Sequence, residues 1–167
     1  SVTLTLDPEV KKLWPATVLG VMTWRVSVHG VNPDLWAFYA SSVQPGLFEK
    51  LQSTELSAMP AMSDNRRAFK AFGIDPGRTR ISSEALYRRV RQGKDLYEVN
   101  AVVDANNLVS LASGFSLGSY DMARTGQSVV LRLGREGETY AGIGKGDIKL
   151  YHMPVLCDGD GPFGSPV

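Results

Sequence analysis

Apolar and polar positions change their period part-way along the chain. Ala16 to His29, ATVLGVMTWRVSVH, is rich in β-branched and aromatic residues with partial alternation, which predicts a strand. Asn32 then precedes Pro33, the arrangement of an N-cap with proline at the first helical position. DLWAFYASSV continues as a helix, which Pro45-Gly46 either interrupts or splits in two. Ser63 to Phe72 predicts another helix, closed by Gly73, and IDPGRTR a turn running into an extended linker. Ser82-Ser83-Glu84 opens a further helix, with Ser82 as the expected cap and Glu84 in the positive first turn. Arg88, Arg89 and Arg91 lie toward its negative end, Leu86 and Val90 share a face, and Gly93 terminates it.

The next segment, VNAVVDANNLVSLASG, repeats its valines and leucines as a buried helix does, with Asn100 as cap and Gly114 as terminator. Inside that repeat sit Asp104, Asn106 and Asn107. Val102, Asn106, Val109 and Ser113 form one stripe, and Val103, Asn107 and Ser110 form the adjacent one. Both amides therefore continue rows that begin with valines. Burying an amide without partners costs about 1–3 kcal/mol by mutational measures, so something must hydrogen-bond these groups. Two candidates remain: the main chain of a neighbouring loop, or a ligand carrying hydroxyls or an amine. Internal satisfaction is the more common solution.

After Gly114 the period shortens. SVVLRLG, GETYAGI, DIKLYHM and PVLCD are short β-like pieces separated by glycines. Helices and one strand followed by a run of strands predict an α+β fold, with 1–167 as a single domain.

The chain has 167 residues, 43% of them hydrophobic, enough to bury one core. No apolar run approaches the roughly 18–20 residues that span a bilayer, and SVTLTLDPEVKK lacks the layout of a secretory signal. No membrane partner is expected. Cys157 stands alone, which excludes an internal disulfide and agrees with a reducing compartment; the expected location is cytoplasmic.

The formal net charge is only +1, yet Arg66 to Lys94 carries Arg66, Arg67, Lys70, Arg78, Arg80, Arg88, Arg89, Arg91 and Lys94 against Asp75 and Glu84 alone. A solvated helix face is the common reading of such a run. The alternative is a surface for phosphates, which guanidinium groups contact with bidentate geometry.

Familiar catalytic motifs are missing. His29 and His152 have no second ligand at a helical metal-binding spacing, so neither a zinc site nor a cofactor is expected. His29 reads as a surface residue. Ser82-Ser83 is explained by capping, and no GxSxG elbow occurs. Gly142-Ile143-Gly144-Lys145-Gly146-Asp147 lacks the spacing of a phosphate loop and joins two strand-like stretches, which predicts a hairpin turn. Glu136 and Glu138 flank a glycine at another turn and are poor candidates for a catalytic carboxylate pair.

With these set aside, YEVNAVVDANNLVSLASGFSLGSYD resembles the core of the tRNA-editing domain of the phenylalanyl-tRNA synthetase β subunit, the B3/B4 domain. The shared pattern is Asn100, Val102-Val103-Asp104, Asn107, Gly114 and the aromatic-Asp pair Tyr120-Asp121. It continues through Arg132 and Gly137-Glu138 to Asp158, while SSEALYRRVRQG and GPFGSP look more like freestanding relatives of that domain. The likeness spans about Arg78 to Asp158.

The resemblance implies a β-barrel-like sheet system with packed helices and a pocket beside the Asn100–Gly114 helix. It implies that Asn106 and Asn107 face the aminoacyl end of a tRNA, with Gly118 and Ser119 at the pocket turn. Gly118 occupies the position of a family histidine. The family's glycine-rich segment and tyrosine-recognising acid follow the position of Asp158, so this sequence is expected to lack that C-terminal segment. The implied partners are tRNA or another RNA and an aminoacyl or nucleoside ligand, with Arg78, Arg80, Arg88 and Arg89 holding phosphates. The family reaction is ester hydrolysis by a positioned water, assisted by the terminal hydroxyl of the tRNA, and requires no nucleophilic side chain and no metal. Three readings follow: an editing-type hydrolase acting in trans, an RNA-binding module without catalysis, and a ligand-binding domain that keeps only the fold.

Overall fold

The computed structural model describes residues 1–142, 144 and 146–167. From the first residues come strand β1 (Thr3–Leu6), helix α1 (Pro8–Leu13), helix α2 (Pro33–Phe38), a π-helical turn (Tyr39–Val43) and helix α3 (Gln44–Gln52). Helices α4 (Pro60–Phe72), α5 (Ser82–Arg91) and α6 (Ala101–Ser113) follow. Strands β2 (Ser128–Leu133), β3 (Thr139–Gly142), β4 (Gly146–Lys149), β5 (Pro154–Asp158) and β6 (Gly161–Gly164) complete the order. The α+β expectation holds. Two compact units share these elements, and each is assembled from separate stretches of chain. A sheet unit comprises Ser1–Gly20, Arg66–Thr79 and Tyr120–Pro166; a helical unit comprises Val21–Asn65, Arg80–Ser119 and Val167.

In the sheet unit, the strand order is β1-β2-β5-β6, with β1 parallel to β2 and the other neighbours antiparallel. The sheet is open, with β1 and β6 at its edges, and does not close into a barrel. Strand β2 alternates as its sequence requires, burying Val129, Leu131 and Leu133. Val155 and Cys157 of β5, Leu150, Met153 and Val10 of α1 join them in the core. Asp7 caps α1, its Oδ1 accepting from the Glu9 amide at 2.9 Å. Gly134 has no room for a side chain, since an added Cβ would lie 1.8 Å from the Leu150 carbonyl oxygen. Strands β3 and β4 pair separately as a hairpin, with Gly142 opposite Gly146. The glycine-rich stretch is thus a hairpin connection, as expected; its Ile143 and Lys145 lie outside the described residues.

In the helical unit, Asn32 caps α2 through its Oδ1, which accepts from the amides of Asp34 and Leu35. Pro45 neither stops nor divides the helical run. The π-helical turn precedes it, and Pro45 falls in the first turn of α3, where its missing N–H is tolerated. Leu51, Leu56, Met62, Ile81, Leu86, Tyr87, Val90, Leu96 and Leu111 form the core of this unit. Helix α4 starts at Pro60, three residues before the predicted boundary, and ends at Gly73 with φ +96°.

Two further expectations are corrected. Ala16 to His29 forms no strand: it has no ladder and is largely solvent-exposed, leaving Val18 86% and Trp24 71% exposed. Strand propensity reports fit to a pleated, half-buried surface, and β1 rather than this segment takes the β2 edge. Ser82 does not cap α5; Ile81 precedes the helix and contributes no side-chain hydrogen bond. Instead the Ser83 amide donates to Ser116 Oγ at 3.2 Å, and the two hydroxyls bond each other at 3.1 Å.

Candidate functional site

Helix α6 places its three polar residues in three different circumstances. Asn100 opens the helix, its side-chain oxygen accepting from the Val103 amide at 2.9 Å, and Gly114 closes it with φ +81°. Asp104, one turn in, is fully buried. Its Oδ2 accepts from the Trp36 indole N–H at 3.2 Å and its Oδ1 from the Val99 amide at 2.9 Å. A buried carboxylate is tolerable when donors surround it, and here it ties α2 and the segment entering α6 to one point. The acid of the trio is an internal clamp.

Asn106 is half-buried, and its Nδ2 donates to the Leu117 carbonyl at 3.2 Å. That bond is one of several that fasten the loop after α6. Ser110 Oγ donates to the Phe115 carbonyl, and Ser116 meets Ser83 as described. Gly114 allows the chain to reverse here, because an added Cβ would sit 2.9 Å from the Ala61 Cβ and the positive φ disfavours any other residue. The loop is therefore held along α6 as far as Leu117. Gly118 and Ser119 beyond it are exposed and free of regular structure.

Asn107 differs from its neighbour. It is also half-buried, yet its side-chain amide makes no hydrogen bond among the described residues. An amide in that state retains an N–H pair and a carbonyl for something outside the protein. One of the two amides is consumed by the main chain and the other is available.

The basic candidates divide similarly. Arg78 and Arg80 are exposed: Arg78 approaches Asp75 at 3.5 Å as a surface pair, and Arg80 makes no contact of this kind among the described residues. Arg88 and Arg89 are half-buried and engaged. Arg88 grips the buried Glu84 through Nε and Nη2, at 3.2 and 2.9 Å. Arg89 donates to the Asp95 carbonyl and to the Tyr97 hydroxyl, with its guanidinium carbon 4.3 Å from the Tyr97 ring centroid. These two side chains shape α5 and the segment after it; that role was hidden in a sequence that reads only as a charge run.

Clefts open in the helical unit. The smaller, about 300 Å³, lies among Leu47, Lys50, Met59, Tyr87 and Leu111. The larger, about 650 Å³, is lined by Trp36, Tyr39 and Gln44 together with Lys94, Asp95 and Glu98. Neither lining includes Asn106, Asn107, Gly118 or Ser119, although the larger shares Trp36 with the Asp104 clamp. Sequence reasoning missed this cleft, whose walls come from stretches some fifty residues apart that no motif connects.

In the sheet unit, the other motif residues have structural duties. Arg132 and Glu138 form a bidentate pair at 2.7 and 2.8 Å, and Glu138 also accepts from the Arg135 amide. These bonds, the Arg132 guanidinium first, pull the Glu138 carboxyl down to about 2. Asp158 accepts from the amides of Gly126 and Asp160, at 2.9 Å each, which holds its carboxyl below the usual range. Tyr120 stacks edge-on against Phe163 at 5.1 Å, and burial, with Tyr140 nearby, raises its phenol to about 12. Among the described residues, no three metal-ligating side chains converge.

Residues 64–166 match the family described as the B3/4 domain. No curated protein and no solved structure matches the chain.

Proposed function

The chain belongs to the B3/4 domain family, the domain found in the phenylalanyl-tRNA synthetase β subunit, and on that premise we propose that it binds tRNA and hydrolyses mischarged aminoacyl-tRNA in trans. The observation that carries this reading is the side-chain amide of Asn107, half-buried and without a partner among the described residues. It stands where the resemblance puts the amide that meets the aminoacyl end. Asn106 supports it indirectly, by holding Leu117 and hence the approach to Gly118 and Ser119.

In the proposed reaction, the Asn107 amide orients the aminoacyl ester, and a water attacks its carbonyl carbon. The ester C–O bond to the terminal ribose breaks, the ribose oxygen takes a proton, and the free amino acid leaves. Orientation supplies the acceleration, since an ester is already activated and effective molarities for aligned reactants are large. Gly118 offers no imidazole at the turn, so the tRNA's own hydroxyl is the proton carrier. Arg78 and Arg80, exposed in the segment entering α5, contact phosphates. This is a translational quality-control role in the cytoplasm.

The absence of a side-chain acid or base at Gly118 favours one alternative, a module that binds RNA or a small ligand without catalysis. Deacylation assays with a panel of mischarged tRNAs separate the two. The proposal expects release of at least one amino acid above the spontaneous rate, reduced at least tenfold in Asn107→Ala. Binding without release on every tRNA would establish the non-catalytic module.

A further inference from the structure

The larger cleft of the helical unit has a lining that includes neither amide of the pair. Its volume of about 650 Å³ suits a small molecule. Tyr39 on its wall is only 7% exposed, and the phenolic hydroxyl has no hydrogen-bond partner among the described residues. The hydroxyl oxygen is not a buried atom, so it is open to the cleft and can meet a ligand atom in place of water. Trp36 is fixed beside it: the rings meet edge to face with centroids 5.6 Å apart, and the indole N–H is held by Asp104. The aromatic wall is thus rigid before any ligand arrives.

Charge decides the class of ligand. Asp95 and Glu98 also line the cleft, exposed and without an ion pair among the described residues, with Lys94 as the one cation in the lining. The main chain at Asp95 is held in place by Arg89. Burial, together with the Asp95 carboxylate, raises the Tyr39 phenol and keeps it a neutral hydroxyl. An anion would meet two carboxylates here, and a purely apolar ligand would strip water from them. A cation satisfies both kinds of group, because aromatic rings and carboxylates each attract it.

We propose that this cleft binds a small organic cation, an alkyl ammonium or guanidinium with its hydrocarbon against Trp36 and Tyr39 and its charge facing Asp95 and Glu98. The Tyr39 oxygen accepts one N–H of the ligand. Trp36, Tyr39 and Gln44 precede the residues matched by the B3/4 family, so half of the cleft is built outside that match.

The test is calorimetric titration of the full chain, without RNA, using agmatine and butylammonium as probes and pentanoate as the anionic control. Saturable binding of agmatine at one site per chain is expected, with pentanoate bound at least tenfold more weakly. The double variant Asp95→Asn, Glu98→Gln should weaken agmatine at least tenfold with an unchanged melting temperature, and Tyr39→Phe should weaken it several-fold. No saturable binding of either amine overturns the proposal, as does undiminished binding to the double variant or equal affinity for pentanoate. Since no tRNA enters the experiment, its failure leaves the proposed deacylation untouched.

Discussion

Trp36 and Asp104, 68 positions apart, meet in a hydrogen bond from the indole N–H to a fully buried carboxylate oxygen. The bond fixes α2 against α6, and it connects the two candidate sites physically, since Trp36 walls the cleft and Asp104 lies one turn before Asn107. The position of the polar trio within an apolar helix has a divided explanation: one residue clamps, one staples a loop, and one is unspent.

Asp104→Ala should therefore be a stability variant. It leaves the Trp36 indole and the Val99 amide without their acceptor in a buried setting, at about 1–3 kcal/mol for each unsatisfied group. A loss of about 2–4 kcal/mol in urea unfolding is expected. A loss below about 1 kcal/mol would show that these donors find other partners.

The paired amides should separate in the same measurement. Asn106→Ala frees the Leu117 carbonyl and costs about 1 kcal/mol, with faster hydrogen exchange in the 114–119 loop. Asn107→Ala removes no hydrogen bond among the described residues and should stay within about 0.5 kcal/mol of the parent. Equal destabilisation by both substitutions would contradict the assignment of Asn107 as the available amide.

Glu138 provides a pH dependence. Its folded carboxyl titrates near 2, below its ordinary value, so the unfolded chain binds protons more readily in this range. The pair with Arg132 contributes fully above about pH 5, and its contribution is lost as pH falls from there toward 2. Both side chains are mostly shielded, at 14% and 23% exposure, and about 1–2 kcal/mol is expected once solvent screening is allowed for. Denaturant midpoints for the parent and Glu138→Gln should differ at pH 7 and converge near pH 2. A constant difference across that range would rule out the titration.

The arginines should divide by contact. Arg80→Ala leaves stability unchanged within about 0.5 kcal/mol and lowers the salt slope of RNA binding by about one. Arg88→Ala removes a partner from the buried Glu84 carboxylate and costs about 1–3 kcal/mol, whatever it does to RNA. Filter binding at several salt concentrations, alongside thermal melts, checks both.

Features set by neighbours in sequence were legible from the residues alone. Asn32 and Asn100 cap their helices, and Gly73, Gly93 and Gly114 end theirs, because these devices act within one turn. Features that need a distant partner were not. Val18 to Val28 has strand composition without a strand to pair with, whereas Thr3–Leu6 is a strand because β2 lies beside it. For the same reason nothing near Asp104 in sequence announces Trp36. The adjacent residues Asn106 and Asn107 look equivalent until the Leu117 carbonyl distinguishes them.

Affinity for aminoacylated against uncharged tRNA, compared between the parent chain and Asn107→Ala at fixed salt, tests the central claim most directly. The parent should prefer the aminoacylated form, and Asn107→Ala should lose about tenfold of that affinity while binding uncharged tRNA as before. Equal binding of both tRNA forms by the parent, or an unaltered preference in the variant, would contradict the assignment of Asn107 to the aminoacyl end.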